Sequence, residues 1–92
     1  MGHNTLSKLS TKNKRGRKWQ LYLFNDNRNS MEHVVDSLNM HIPMCNRYRA
    51  EQLAIIAHHH GHVVVYEGGN TETLILYNSL IQEGLTVDAT LA

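Results

Sequence analysis

Trp19-Gln20-Leu21-Tyr22-Leu23-Phe24-Asn25-Asp26-Asn27-Arg28-Asn29-Ser30-Met31-Glu32-His33-Val34-Val35 is the stretch in which the fold is decided. Its first six residues are an extended aromatic and apolar run, the composition of a strand. Asn25 to Asn29 follow as a cluster of turn formers, whose short polar side chains bond their own backbone and tolerate tight conformations. Asn29 stands three residues before Glu32, so the pair reads as a capping box: Asn29 accepts from the N3 amide and Glu32 reaches back. Met31, Val34, Val35 and Leu38 then recur at helical spacing. The helix runs to about Met40 and stops before Pro43, because the residue ahead of a proline is pushed out of the helical region.

Reading outward towards the C-terminus, a second helix is expected over Asn46 to His60. Ala50, Leu53, Ile56, Ala57 and His60 form its inner face, and Gly61 ends it. His62-Val63-Val64-Val65-Tyr66 is β-branched and reads as a strand. Glu67-Gly68-Gly69 is a turn, and Asn70 caps a third helix through about Glu83. Leu74, Tyr77, Leu80 and Ile81 are its predicted inner stripe, Gly84 closes it, and Thr86 to Leu91 is a last strand. The order is β-α-α-β-α-β. Each helix has one apolar stripe to bury, so the expected class is α+β: a small two-layer sandwich of a three-stranded antiparallel sheet and three helices on one face.

Reading outward towards the N-terminus, the character changes. Residues 1–17 are rich in Ser, Thr, Asn, Gly and Lys, and are expected to be a flexible basic extension ahead of a core domain at 18–92. Lys8, Lys12, Lys14, Arg15, Arg17 and Lys18 occur with no acid, which gives residues 1–18 a charge of +6. The remainder has three arginines against eight acids, or −5. Such a tail is a solvated extension, a nucleic-acid arm or a segment that engages an acidic protein partner.

The totals exclude several classes. At 92 residues there is room for one domain with a thin core, which favours a groove over a deep catalytic cavity. The single cysteine, Cys45, forms no internal disulfide and fits a reducing compartment. No apolar run is long enough to span a membrane, and the basic N-terminus has no apolar core of a secretion signal, so a cytoplasmic location is expected. No Ser/His/Asp pairing or phosphate-cradling glycine loop is evident, so the chain is not read as an enzyme. His58-His59-His60 with His62 invites a metal reading, but consecutive helical residues point in different directions, and no metal or cofactor is expected. Nucleic-acid binding has only the tail in its favour, because the folded part is acidic and its aromatics are not interleaved with basic residues.

Two segments together resemble the ClpS family of Clp protease adaptors. Leu-Phe-Asn25-Asp26-Asn-Arg-Asn-Ser-Met31-Glu32-His-Val34-Val is similar to the family's hydrophobic strand followed by Asn-Asp-Asp-x-Thr-Pro-Met-Glu-x-Val. Arg49-Ala50-Glu-Gln-Leu-Ala-Ile-Ile-Ala-His58-His-His-Gly61 resembles its apolar helix ending in His-x-x-Gly before a strand. The resemblance covers residues 19–66 well and 67–92 loosely.

It implies an adaptor that binds substrate proteins by a bulky hydrophobic N-terminal residue with a free α-amine and delivers them to a Clp-family AAA+ unfoldase. The implied partners are that unfoldase and N-degron substrates, with no nucleic acid and no membrane, the adaptor acting as a monomer. Asn25, Asp26 and His58 would bind the amine, and Met31, Val34, Ala54 and Ala57 would line the side-chain pocket. The chemistry is apt on its own terms. An ammonium has three donors and needs converging acceptors, which a carboxylate, an amide carbonyl and a neutral imidazole supply. The departures are Asn27 for the family's second Asp, Asn29 for its Thr, Ser30 for its Pro, and alanines at two pocket positions often occupied by larger apolar residues. A diverged module that binds peptides or proteins without Clp delivery is the alternative.

Overall fold

The computed structural model describes residues 17–92; the extension expected over 1–17 lies, up to residue 16, outside them. The elements are β1 (Trp19–Phe24), α1 (Met31–His41), α2 (Arg47–His60), β2 (His62–Gly68), α3 (Asn70–Gln82) and β3 (Val87–Leu91). This is the β-α-α-β-α-β order read from the sequence, with β1 in the centre of an antiparallel sheet of order β2-β1-β3.

Alternation along β1 separates the two faces of the sheet. Trp19, Leu21 and Leu23 are buried, while Gln20, Tyr22 and Phe24 point to the other, more open side. Against the buried face pack Val35 and Leu38 of α1, Ala50, Leu53, Ala54 and Ala57 of α2, and Leu80 of α3. The ladder between β1 and β2 shifts register at Leu21/Tyr22, so Val65 is an extra residue with no partner opposite, and it is buried.

Three local readings are corrected. The N-cap of α1 is Ser30, whose Oγ accepts from His33 N at 3.0 Å, and not Asn29. The Asn29 side chain is turned instead to Asp26 and Gly84, to which its Nδ2 donates. Ser30 is the next side-chain oxygen in line, and such a cap stabilises a helix by about 1 kcal/mol. Asn70 is the first residue of α3, and Gly69 takes the N-cap position in extended conformation. The inner stripes also turn. On α2 the buried set is Ala50, Leu53, Ala54 and Ala57, whereas Ile56 is 40% exposed and His60 lies in solvent. On α3 Thr73 and Leu80 are buried and Ile81 is 43% exposed. At about 100° per residue, Ile56 and Ile81 sit well to one side of those stripes. On α2 three of the four inward residues are alanines, which let that helix approach the sheet closely, and an isoleucine at the margin loses little by partial exposure.

Candidate functional site

The site lies where β1 ends and α2 ends. Gly61 adopts φ +94°, a conformation costly for any residue with a Cβ, and so reverses the chain directly into β2. Its N–H returns to Ala57 O at 2.9 Å, and its C=O accepts from Asn25 N at 2.9 Å. This backbone tie brings the last turn of α2 to the first residues after β1. Two segments separated by about thirty residues of chain thus meet at one point, at the edge of the helical layer.

A cavity of about 320 Å³ opens there. All seven residues singled out in the sequence line it: Asn25, Asp26, Met31, Val34, Ala54, Ala57 and His58. Leu23, Phe24, Asn27 and Asn29 complete the wall. Ala54 and Ala57 are buried and form a floor without bulk; Met31 is 42% exposed at the mouth. The cavity is apolar on the α1 and α2 side and polar where the Asn25–Asn29 turn closes it.

Asp26 is the most constrained group in that turn. Its Oδ1 accepts from Arg28 N and Asn29 N, both at 2.9 Å, and from Asn29 Nδ2 at 3.2 Å. Its Oδ2 accepts from Asn29 Nδ2 at 3.0 Å and from Thr86 Oγ1 at 2.9 Å. A carboxylate offers about four lone-pair positions, so these partners occupy its capacity. Partial burial works to raise its pKa, but the hydrogen bonds from Asn29, Thr86 and Arg28 to the ionised form outweigh it and bring the group down to about 2. Asp26 is therefore a fixed negative charge at any ordinary pH. By contrast, the Asn25 side chain and the His58 ring nitrogens have no hydrogen-bond partner among the described residues, and the His58 ring stands edge-on to that of His59, at 5.3 Å between centroids.

The other histidines do not gather. Among the described residues no group of three or more His, Cys, Asp or Glu side chains is placed to hold a metal ion. His33 and His41 are used in packing: His33 Nε2 lies 2.7 Å from Glu83 O and His41 Nε2 lies 2.8 Å from Glu83 Oε2, which ties α1 to the end of α3. Cys45 is buried, and burial pushes its thiol pKa up against the pull of Arg49. No described helix is long and apolar enough to cross a membrane.

Sequence reasoning missed two members of this arrangement. Asn29 was read as a cap and is instead a donor to Asp26 and, through the same amide, to Gly84 O at 2.9 Å. Thr86 was read only as the start of a strand. No local signal could have found it, because it lies 60 residues from Asp26 in the chain.

Comparison with known proteins gives a consistent result. The family model described as ATP-dependent Clp protease adaptor protein ClpS matches residues 14–87. The ATP-dependent Clp protease adapter protein ClpS of Thermosynechococcus vestitus is 28% identical over 69 residues, which are 75% of this chain and 73% of that one. The structure of Agrobacterium tumefaciens ClpS2 bound to L-phenylalaninamide has a TM-score of 0.75 at 19% identity, covering 85% of this chain and 100% of that one, a likeness of fold.

Proposed function

The chain belongs to the ClpS family of ATP-dependent Clp protease adaptors, and from that premise we propose that it captures proteins by a bulky hydrophobic N-terminal residue bearing a free α-amine and passes them to a Clp-family AAA+ unfoldase. An adaptor of this family performs no catalytic step; its task is recognition and transfer. The observation that carries the reading is the single cavity that gathers Asn25, Asp26 and His58 beside Met31, Val34, Ala54 and Ala57. The ligand in the Agrobacterium tumefaciens structure, L-phenylalaninamide, pairs an α-amine with a benzyl side chain and is the chemistry such a cavity suits.

The roles divide by what each group has to spare. Asn25 Oδ1 and a neutral His58 nitrogen accept hydrogen bonds from the ammonium. Asp26, its lone pairs already committed, contributes its charge at short range. The pocket over Ala54 and Ala57 takes the side chain, adding roughly 1.5–3 kcal/mol for one large apolar group. Micromolar affinity corresponds to about 8 kcal/mol, so neither half suffices alone.

The experiment is degradation in a reconstituted Clp unfoldase and protease. A folded reporter that begins with Phe is expected to be degraded only when this protein is added, while the same reporter beginning with Ser is not. In this reading the monomer acts through 18–92 for capture, and the basic extension serves delivery. Deletion of residues 1–17 is accordingly expected to leave peptide affinity within about twofold and to slow degradation several-fold. Degradation of the Phe reporter that is indifferent to the adaptor would overturn the reading.

Pocket width makes a second expectation. With alanine at both floor positions the cavity is wide, and a small side chain leaves part of its lining without contacts. Peptides beginning with Phe or Trp are expected to bind about threefold or more tighter than those beginning with Leu. Ala54→Met, which fills the floor, is expected to narrow or reverse that order in a fluorescence anisotropy titration. Leu-initiated peptides that bind the native protein best would show that the floor does not set the width.

A further inference from the structure

The carboxylate at the polar end of the cavity is held from the other end of the chain. Thr86 Oγ1 donates to Asp26 Oδ2 at 2.9 Å, and Arg28 Nη2 donates in turn to Thr86 Oγ1 at 3.3 Å. A hydroxyl has one hydrogen; accepting from Arg28 leaves that hydrogen for Asp26. Thr86 stands outside both segments on which the family resemblance was read, near the end of the 14–87 stretch that the family model matches.

We propose that Thr86 is a positioning residue for the amine site: its hydroxyl fixes the orientation of the Asp26 carboxylate, so the affinity for an N-terminal ammonium depends on the turn between α3 and β3. This rests on the function proposed above. The turn is built to hold that hydroxyl in place. Gly84, at φ +87°, allows the sharp exit from α3, and its C=O accepts from Asn29 Nδ2 at 2.9 Å. Thr86 O accepts from Phe24 N at 2.9 Å, which locks the residue to the end of β1 whatever its side chain. Buried Leu85 and Val87 flank it on either side. His33 and His41 clamp Glu83 onto α1 one step earlier. The backbone at residue 86 is thus fixed by groups other than its own hydroxyl, and removing the hydroxyl isolates one contact.

Asn29 and the amides of Arg28 and Asn29 load mainly Oδ1, whereas Oδ2 has only Asn29 Nδ2 and Thr86. Without the hydroxyl, Oδ2 keeps one donor, and the carboxylate gains freedom to rotate about its χ2 torsion, which is soft for an sp²-terminated side chain. A charge that wanders by a fraction of an ångström at close range interacts less with a fixed ammonium, and the loss falls on ligands that carry the charge.

The test compares native protein, Thr86→Val and Thr86→Ser with a Phe-initiated peptide and with its N-acetylated twin. The carboxyl titration of Asp26 is followed by NMR in each. Valine keeps the shape and deletes the hydroxyl; serine restores the hydroxyl. Thr86→Val is expected to bind the free-amine peptide about five- to tenfold more weakly and the acetylated one within about twofold of native. Its Asp26 midpoint is expected to rise, because a donor to the ionised form is gone. Thr86→Ser is expected to return both readouts to the native values. Thr86→Ala carries the same comparison should valine disturb folding. Native affinity with an unmoved Asp26 midpoint overturns the proposal, and so does equal weakening of both peptides, which is a defect of the whole site. A native protein indifferent to acetylation overturns the adaptor reading itself; the Asp26 midpoints of the valine and serine variants then still decide whether the hydroxyl holds the carboxylate.

Discussion

A peptide that begins with phenylalanine is expected to lose about thirtyfold or more of its affinity for this protein when its α-amine is acetylated, and Asp26→Asn is expected to remove most of that amount from the unmodified peptide. Thirtyfold is about 2 kcal/mol, within the usual worth of a charge-assisted contact that is partly shielded from water. Acetylation deletes the cation and replaces two of its donors with a bulky carbonyl beside Asn25 and His58. Asp26→Asn deletes the opposing charge at nearly constant shape. It also turns an acceptor-only group into one carrying amide hydrogens, set against donors on Arg28, Asn29 and Thr86. If the two changes report the same attraction, they are not additive: the acetylated peptide binds native protein and Asp26→Asn alike within about twofold, and the cycle isolates the coupling. Asp26→Asn weakening both peptides by the same factor in calorimetry would leave Asp26 as a turn residue and nothing more.

The second large effect is a pH dependence that belongs to His58. An imidazole accepts a hydrogen bond only when neutral; protonated, it has donors alone and sets a second cation beside the ligand. Histidines ordinarily change charge between pH 5 and 8. Free-amine peptide affinity is accordingly expected to fall as the pH is lowered from 8 to 5.5. The sign follows from linkage: the ligand binds the deprotonated form, so binding opposes protonation, and added protons oppose binding. Asp26 is not the source, because its pKa of about 2 keeps it ionised throughout that interval. His33 and His41 are engaged with Glu83, and His62, which packs on Tyr22 and on the wall residue Phe24, does not itself line the cavity. His58 stands in the last turn of α2; if its ring does not meet the ligand there, affinity is indifferent to its charge. His58→Gln keeps an acceptor that does not titrate, and is expected to flatten the profile. A loss of affinity at low pH that persists unchanged in His58→Gln removes this residue from the site.

Much of the architecture is legible along the chain because its cues are local. Strand β1 has the bounds read from composition, since an uninterrupted aromatic and apolar run flanked by turn formers has few other uses. Gly61 ends α2 as read, and Asn46, read as the first residue of that helix, is its N-cap one position earlier. The seven cavity residues were legible for a different reason: they sit in two short segments whose order and spacing resemble a known family. One reading failed where two neighbouring residues competed for the same role. Asn29 and Ser30 both suit an N-cap, and the choice between them is made by Asp26, which draws in Asn29.

By itself the sequence determined the element order, the antiparallel α+β class and the two turns from which the cavity is made. Hydrophobic period, caps and left-handed glycines act within a few residues and need no tertiary partner to be read. Only the tertiary structure decided which face of α2 and α3 is buried, because the rotation of a helix is set by its packing on the sheet; on α2, alanines permit a close approach that isoleucines do not. It alone decided that Asn25 and His58 line one cavity, their segments tied by a hydrogen bond from Asn25 N to Gly61 O. And it alone supplied one donor to Asp26: Thr86, 60 residues along, joins the local donors Asn29 and Arg28 in favouring the ionised carboxylate.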